Sequence, residues 1–153
     1  MNLALNSFEK QRDVGLFVMR VVVGATFVFF GWQHLLAGKG AWIKLGEAMA
    51  HFGVSDGTLY WGLAATFAEL LGGLFLVIGL LVRPSAVALF AAMVVATVVR
   101  WQSLDWGNLD RVALFFYPLA MAAVAFALIF LGGGKFGFDG AGGGGGASPA
   151  KEK

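Results

Sequence analysis

Apolar residues fall into four long runs separated by short polar connections. The runs cover about residues 14–36, 60–82, 85–99 and 112–131. At ~1.5 Å per residue, a helix of about twenty residues crosses the ~30 Å hydrocarbon core of a bilayer. The pattern therefore predicts an all-α fold: a four-transmembrane-helix antiparallel bundle occupying residues 14–131. Residues 1–13 form a polar N-terminal lead-in, and 132–153 form a Gly-rich tail expected to be disordered beyond about Gly140. The first apolar run is long and lacks a small-residue cleavage site, so it is expected to be a retained span and not a cleaved signal peptide.

Polar residues inside the runs share faces with small ones. Arg20, Gly24, Phe27, Gly31 and His34 follow steps of four and three, which puts them on one side of a helix. In the second run Gly62, Ala65, Glu69, Gly72, Gly73 and Leu76 do the same. Glycines let membrane helices approach closely, so both charged faces are expected to point into the bundle. Glu69 lies ~13 Å from the start of its helix, and a carboxylate at such depth costs at least ~2.5 kcal/mol unless it is paired or protonated.

The connections carry signals of their own. Between spans one and two, Trp42, Leu45, Met49 and Phe52 recur at helical spacing, with Lys44, Glu47 and His51 largely off that stripe. This predicts a short amphipathic helix lying in the interface. Arg83-Pro84-Ser85 leaves room for a tight turn between spans two and three. Pro118, inside span four, removes one backbone donor, frees the carbonyl of Leu114 and predicts a kink near Tyr117.

Composition sharpens the class. Of 153 residues, 59% are hydrophobic and 13% charged, against about 25% charged in soluble domains. A net charge of +2, scattered over loops, gives no footprint for nucleic acid. Zero cysteines exclude thiol chemistry and thiolate metal or iron–sulfur sites supplied by this chain. Two histidines offer few metal ligands, and no metal site is expected. A haem held by His34 and His51 is not expected either, because nothing in the sequence specifies its ligand geometry. No nucleophile elbow, phosphate loop, metalloprotease helix or dinucleotide fingerprint occurs. The five tryptophans fall mostly at span ends, as in an aromatic belt. With four spans, Lys10, Arg12, Arg83, Lys135, Lys151 and Lys153 share one side, against Lys39, Lys44, Arg100 and Arg111 on the other. That bias places both termini in the cytoplasm and makes Arg83 a topology anchor.

Two constellations could carry chemistry. Arg20 and Glu69 lie ~9 Å and ~19 Å above the inner edge, so a direct or water-bridged pair is geometrically reasonable. Such a pair is either a structural lock between two helices or a polar site for a head group such as a quinone. The second constellation is an outer cluster of Gln33, His34, His51, Arg100, Asp105 and Asp110, readable as a cavity mouth or as ordinary interfacial polarity.

The chain resembles the DoxX family of small four-span bacterial membrane proteins. The resemblance rests on Arg20 with the glycines after it, FGWQHLLAG at 30–38, AELLGGLFLVIGLLVRP at 68–84 and GGGKFGFD at 132–139. It implies a bacterial inner-membrane location and a link to membrane redox systems. Family members are associated with thiosulfate–quinone oxidoreductases and with an oxidative-stress complex of a superoxide dismutase and a sulfurtransferase. The shared polar residues would be Arg20, Glu69 and Arg83. Two positions depart from the family's pattern: His34 stands where Lys is frequent, and Arg100 where His is frequent.

Three functions follow as expectations. The first is a membrane subunit of a redox complex, with a polar intramembrane site around Arg20, Glu69, His34 and Arg100 and a quinone as its ligand. The second is a non-catalytic scaffold or assembly factor. The third is a small-solute permease. The first two imply partner proteins, and the third a homo-oligomer.

Overall fold

The computed structural model describes residues 2–134, 137 and 138, with side chains from Gln11 onward. The tail expected to be disordered, with Lys135, Lys151 and Lys153, lies outside the described residues. The described chain is helical: α1 (Asn2–Ala37), α2 (Lys39–Gly46), a 3-10 helix (Glu47–Phe52), α3 (Thr58–Ile78), α4 (Val82–Gln102) and α5 (Leu109–Leu131). Four of these helices, α1 from Gln11 on, α3, α4 and α5, are long and apolar enough to cross a membrane. The fold is the expected antiparallel four-span bundle. The polar lead-in is not a separate segment but the first turns of α1, whose 36 residues make it about 54 Å long.

The seams explain the arrangement. α1 packs against α3, α3 against α4, and α4 against α5. The ring is closed by side chains, with Phe30 of α1 and Tyr117 of α5 in tilted contact at 5.6 Å between ring centroids. Phe27, Leu76, Leu89 and Leu128, one from each span, are buried in a common core. Outward residues such as Val22, Phe29 and Phe130 stay exposed, as lipid-facing positions do. Lipid tails are as apolar as the core, so close packing holds such helices together. Such packing is close where Gly24 meets Gly73: a Cβ on either would lie 2.7 Å from the other's carbonyl oxygen.

Both ends of the bundle lie on one side, here the terminal side, where Gly134 approaches Asp13. The turn between α3 and α4 is also there, but earlier than the sequence suggested. It occupies Gly79–Leu81, with φ of 80° at Gly79 and 50° at Leu81. Arg83 and Pro84 belong to the first turn of α4, where proline is tolerated because its missing N–H has no helical partner. Span three runs from Val82 to Gln102, three residues longer at each end than the expected 85–99.

On the opposite side the connection from α1 forms two short helices. Gly46 sits against Thr58 and Gly62 against Trp42, each so closely that a side chain would collide with backbone. Leu45 and Met49 are half-buried while Lys44, Glu47 and His51 face outward, as the stripe predicted, although Phe52 is exposed.

Candidate functional site

The site begins with a second close approach of α1 and α3. A Cβ on Gly31 would come within 2.6 Å of the Leu70 backbone nitrogen. With the helices so near, His34, one turn beyond Gly31, reaches Glu69, one residue before Leu70. His34 Nδ1 and Glu69 Oε2 form a hydrogen bond of 2.8 Å, either as an ion pair or with one shared proton. Trp42 Nε1 donates to the carbonyl of His34 at 3.0 Å and so ties α2 to the end of α1. Glu69 is buried, its side chain 7% exposed, while that of His34 is 32% exposed. Oε1 of Glu69 makes no hydrogen bond among the described residues.

The other two spans add to this cluster. Arg100, in the last turn of α4, donates from Nη1 to the carbonyl of Leu114 at 2.9 Å. That is the carbonyl that Pro118 deprives of its helical donor, so the guanidinium takes the place of the missing N–H. Tyr117, next to Pro118, keeps its hydroxyl buried without a hydrogen-bond partner among the described residues. Arg100 lies within electrostatic reach of His34 and Tyr117, and Glu69 within reach of Tyr117. His34, Glu69, Arg100 and Tyr117, one from each membrane span, thus lie in the half of the bundle away from the termini.

Beside Glu69 lies a cavity of about 330 Å³. Eight of its thirteen lining residues are alanines, which explains why space remains there. Leu45 and Met49 cover it from the short helices, Trp61 and Ala65 from α3, and Ala92 and Val95 from α4. Glu69 is the single polar residue on its walls.

Arg20 lies elsewhere. It is fully buried on the terminal side and donates to the carbonyl of Gly133. A Cβ on Gly79 would stand 2.6 Å from its Nη1, and the ring of Phe17 lies 5.9 Å from its Cζ. The expected Arg20–Glu69 pair therefore does not form. Its separation follows from the register set by Gly24 and Gly73, which places Arg20 opposite Gly79. Gly79 is ten residues beyond Glu69, about 15 Å along α3.

The remaining members of the outer cluster serve local structure. Asp105 accepts from the Gly107 backbone at 3.0 Å, and Asp110 sits in the first turn of α5, which Asn108 caps. Exposed His51 donates to the Ala48 carbonyl at 3.2 Å. Gln33 is exposed. Arg83 lies at the terminal side beside Gly132. Sequence reasoning missed Tyr117 as a site residue, and it missed the alanine wall. The available signal for the wall was four-residue spacing on facing helices: Ala64 and Ala68, then Ala88, Ala92 and Ala96.

A model of the DoxX family matches residues 15–102 of this chain. The match covers His34, Glu69 and Arg100 and stops before α5. No curated protein and no solved structure shows a significant match to the chain. A family match over more than half of the sequence, on a bundle of four membrane-crossing helices, establishes that the chain is an integral membrane protein belonging to the DoxX family.

Proposed function

We propose that the protein is a subunit of a redox-associated system in the bacterial inner membrane, with both termini cytoplasmic, and that it binds the head group of a quinone at Glu69. One observation carries this reading. Among the described residues, a buried carboxylate whose Oε1 makes no hydrogen bond is the only charged group on the wall of an otherwise largely apolar cavity of about 330 Å³. Small-molecule sites have this character, apolar walls with a few placed polar groups, and volumes of about 300–1,000 Å³.

The chemistry of the pair fits such a head group. A carboxylate oxygen accepts from a hydroquinone hydroxyl, and a protonated carboxyl donates to a quinone carbonyl. His34 holds Oε2, leaving Oε1 available to a ligand, and its own exposure gives Glu69 a route for proton exchange with the side opposite the termini. A quinone bound here supplies two-electron redox chemistry. The chain has no cysteine, so its electron-transfer partner is a separate redox protein.

The test is extraction. Wild type and Glu69→Gln are purified in native lipid discs and assayed for bound quinone. Near-stoichiometric quinone in wild type, lost in the variant while the melting temperature holds, supports the reading. Quinone absent from wild type, even after incubation with excess, rejects it in favour of a non-catalytic assembly factor.

A further inference from the structure

The cavity beside Glu69 continues along the seam of α3 and α4. Ala64, Ala68 and Ala88 line it and also line a second cleft of about 350 Å³. That cleft passes Leu71 and Phe75 and reaches Leu81 and Pro84 on the terminal side. The two spaces form one furrow, because their α3 walls lie on one stripe, at residues 61, 64, 68, 71 and 75. From Glu69 to Leu81 the furrow runs twelve residues, about 18 Å, more than half of the ~30 Å hydrocarbon core. Phe67, Leu71 and Leu81 on its rim are exposed, so it opens sideways toward lipid.

We propose that this furrow holds the isoprenoid tail of the quinone, lying along α3 and α4 from a head at Glu69 toward the terminal side. The proposal rests on the head-group reading above and names the ligand class more closely: a long-tailed quinone taken from within the bilayer. Polarity sets the direction, since the one carboxylate stands at one end and the lower cleft is walled by Leu71, Phe75, Leu81 and Pro84, with Ser85 its one polar, uncharged side chain. Depth and charge select the ligand. Glu69 lies eleven residues into α3, about 16 Å from its start. A phospholipid keeps its phosphate at the membrane surface, and an anionic head would be repelled by a carboxylate. A small uncharged head with hydrogen-bonding oxygens meets neither obstacle.

The experiment uses the full chain in lipid discs and three probes: a long-tailed quinone with a diazirine at the tail end, its tail-less head analogue, and a phospholipid with a diazirine on one acyl chain. The tailed quinone is expected to label peptides containing Phe75 and Leu81–Pro84, and to bind at least tenfold tighter than the tail-less analogue. Leu71→Trp, which fills the lower cleft, is expected to remove that tenfold advantage and leave the tail-less analogue's affinity unchanged. Equal binding of the tailed and tail-less quinones overturns the proposal but leaves the head-group site standing. Seam labelling by the phospholipid that excess quinone does not reduce also overturns it, making the furrow an acyl-chain groove. Binding of neither quinone brings down the head-group reading and the tail proposal together.

Discussion

Arg20 on α1 and Glu69 on α3 are buried ionisable side chains on facing helices, and the bundle treats them differently. Arg20 is packed closely against glycine backbone. Its guanidinium meets the Gly133 carbonyl, and Gly79, Gly133 and Gly137 stand so close that a Cβ at any of them would lie no more than 3.0 Å from Nη1. Glu69 gives one oxygen to His34 and lines an alanine-walled space. Burial costs a charge heavily in both places. The surroundings decide what the charge is for: close-packed glycine backbone makes a structural joint, and small side chains that leave a void make a site.

The sharpest way to break the comparison is at the joint. Arg20→Ala should destabilise the protein by about 2–5 kcal/mol, the range for truncating a large buried side chain, read as a fall in melting temperature in lipid discs. If Arg20→Ala melts like wild type yet loses quinone, Arg20 belongs to the site and the contrast collapses. Gly31→Ala should follow, at about 1–3 kcal/mol, because its methyl must push Leu70 and α3 away. The same variant should weaken quinone binding, since the displaced helices carry His34 and Glu69.

His34→Ala should cost less stability, about 0.6–1.7 kcal/mol, the range for a hydrogen bond between membrane helices. It should affect binding more than folding, the reverse of Arg20→Ala, and thermal and binding assays on the two variants side by side would show it. Pro118→Ala should have the smallest effect. It returns a backbone donor to the Leu114 carbonyl and releases Arg100, with a stability change under about 1 kcal/mol. Loss of quinone in that variant would extend the site to α5.

The fold was legible in the chain because hydropathy over twenty residues reports a bilayer's thickness directly. The inward direction of Glu69 was legible too, from the glycines on its face. The choice of partner was not. It turns on a register fixed by contacts between backbones, Gly24 with Gly73 and Gly31 with Leu70, and glycine positions alone do not say which of them meet. Counting rise from the helix ends put Arg20 and Glu69 within reach, whereas the packed helices bring His34 to Glu69 instead. Pro118 gave a partial success. The freed carbonyl of Leu114 follows from proline chemistry, but its occupant, Arg100, comes from a neighbouring helix and needed the structure. The cavity was least legible, because alanine in an apolar span reads as ordinary lipid-compatible sequence until two such stripes face each other.

A site at Glu69 requires that its carboxyl touch the ligand. The direct measurement is infrared difference spectroscopy on the protein in lipid discs, before and after addition of quinone, for wild type and Glu69→Gln. A carboxyl band should shift on quinone addition in wild type and be missing from the Glu69→Gln spectrum. Quinone that binds both proteins alike and leaves every carboxyl band unmoved would contradict it, and Glu69 would then be a second structural joint like Arg20.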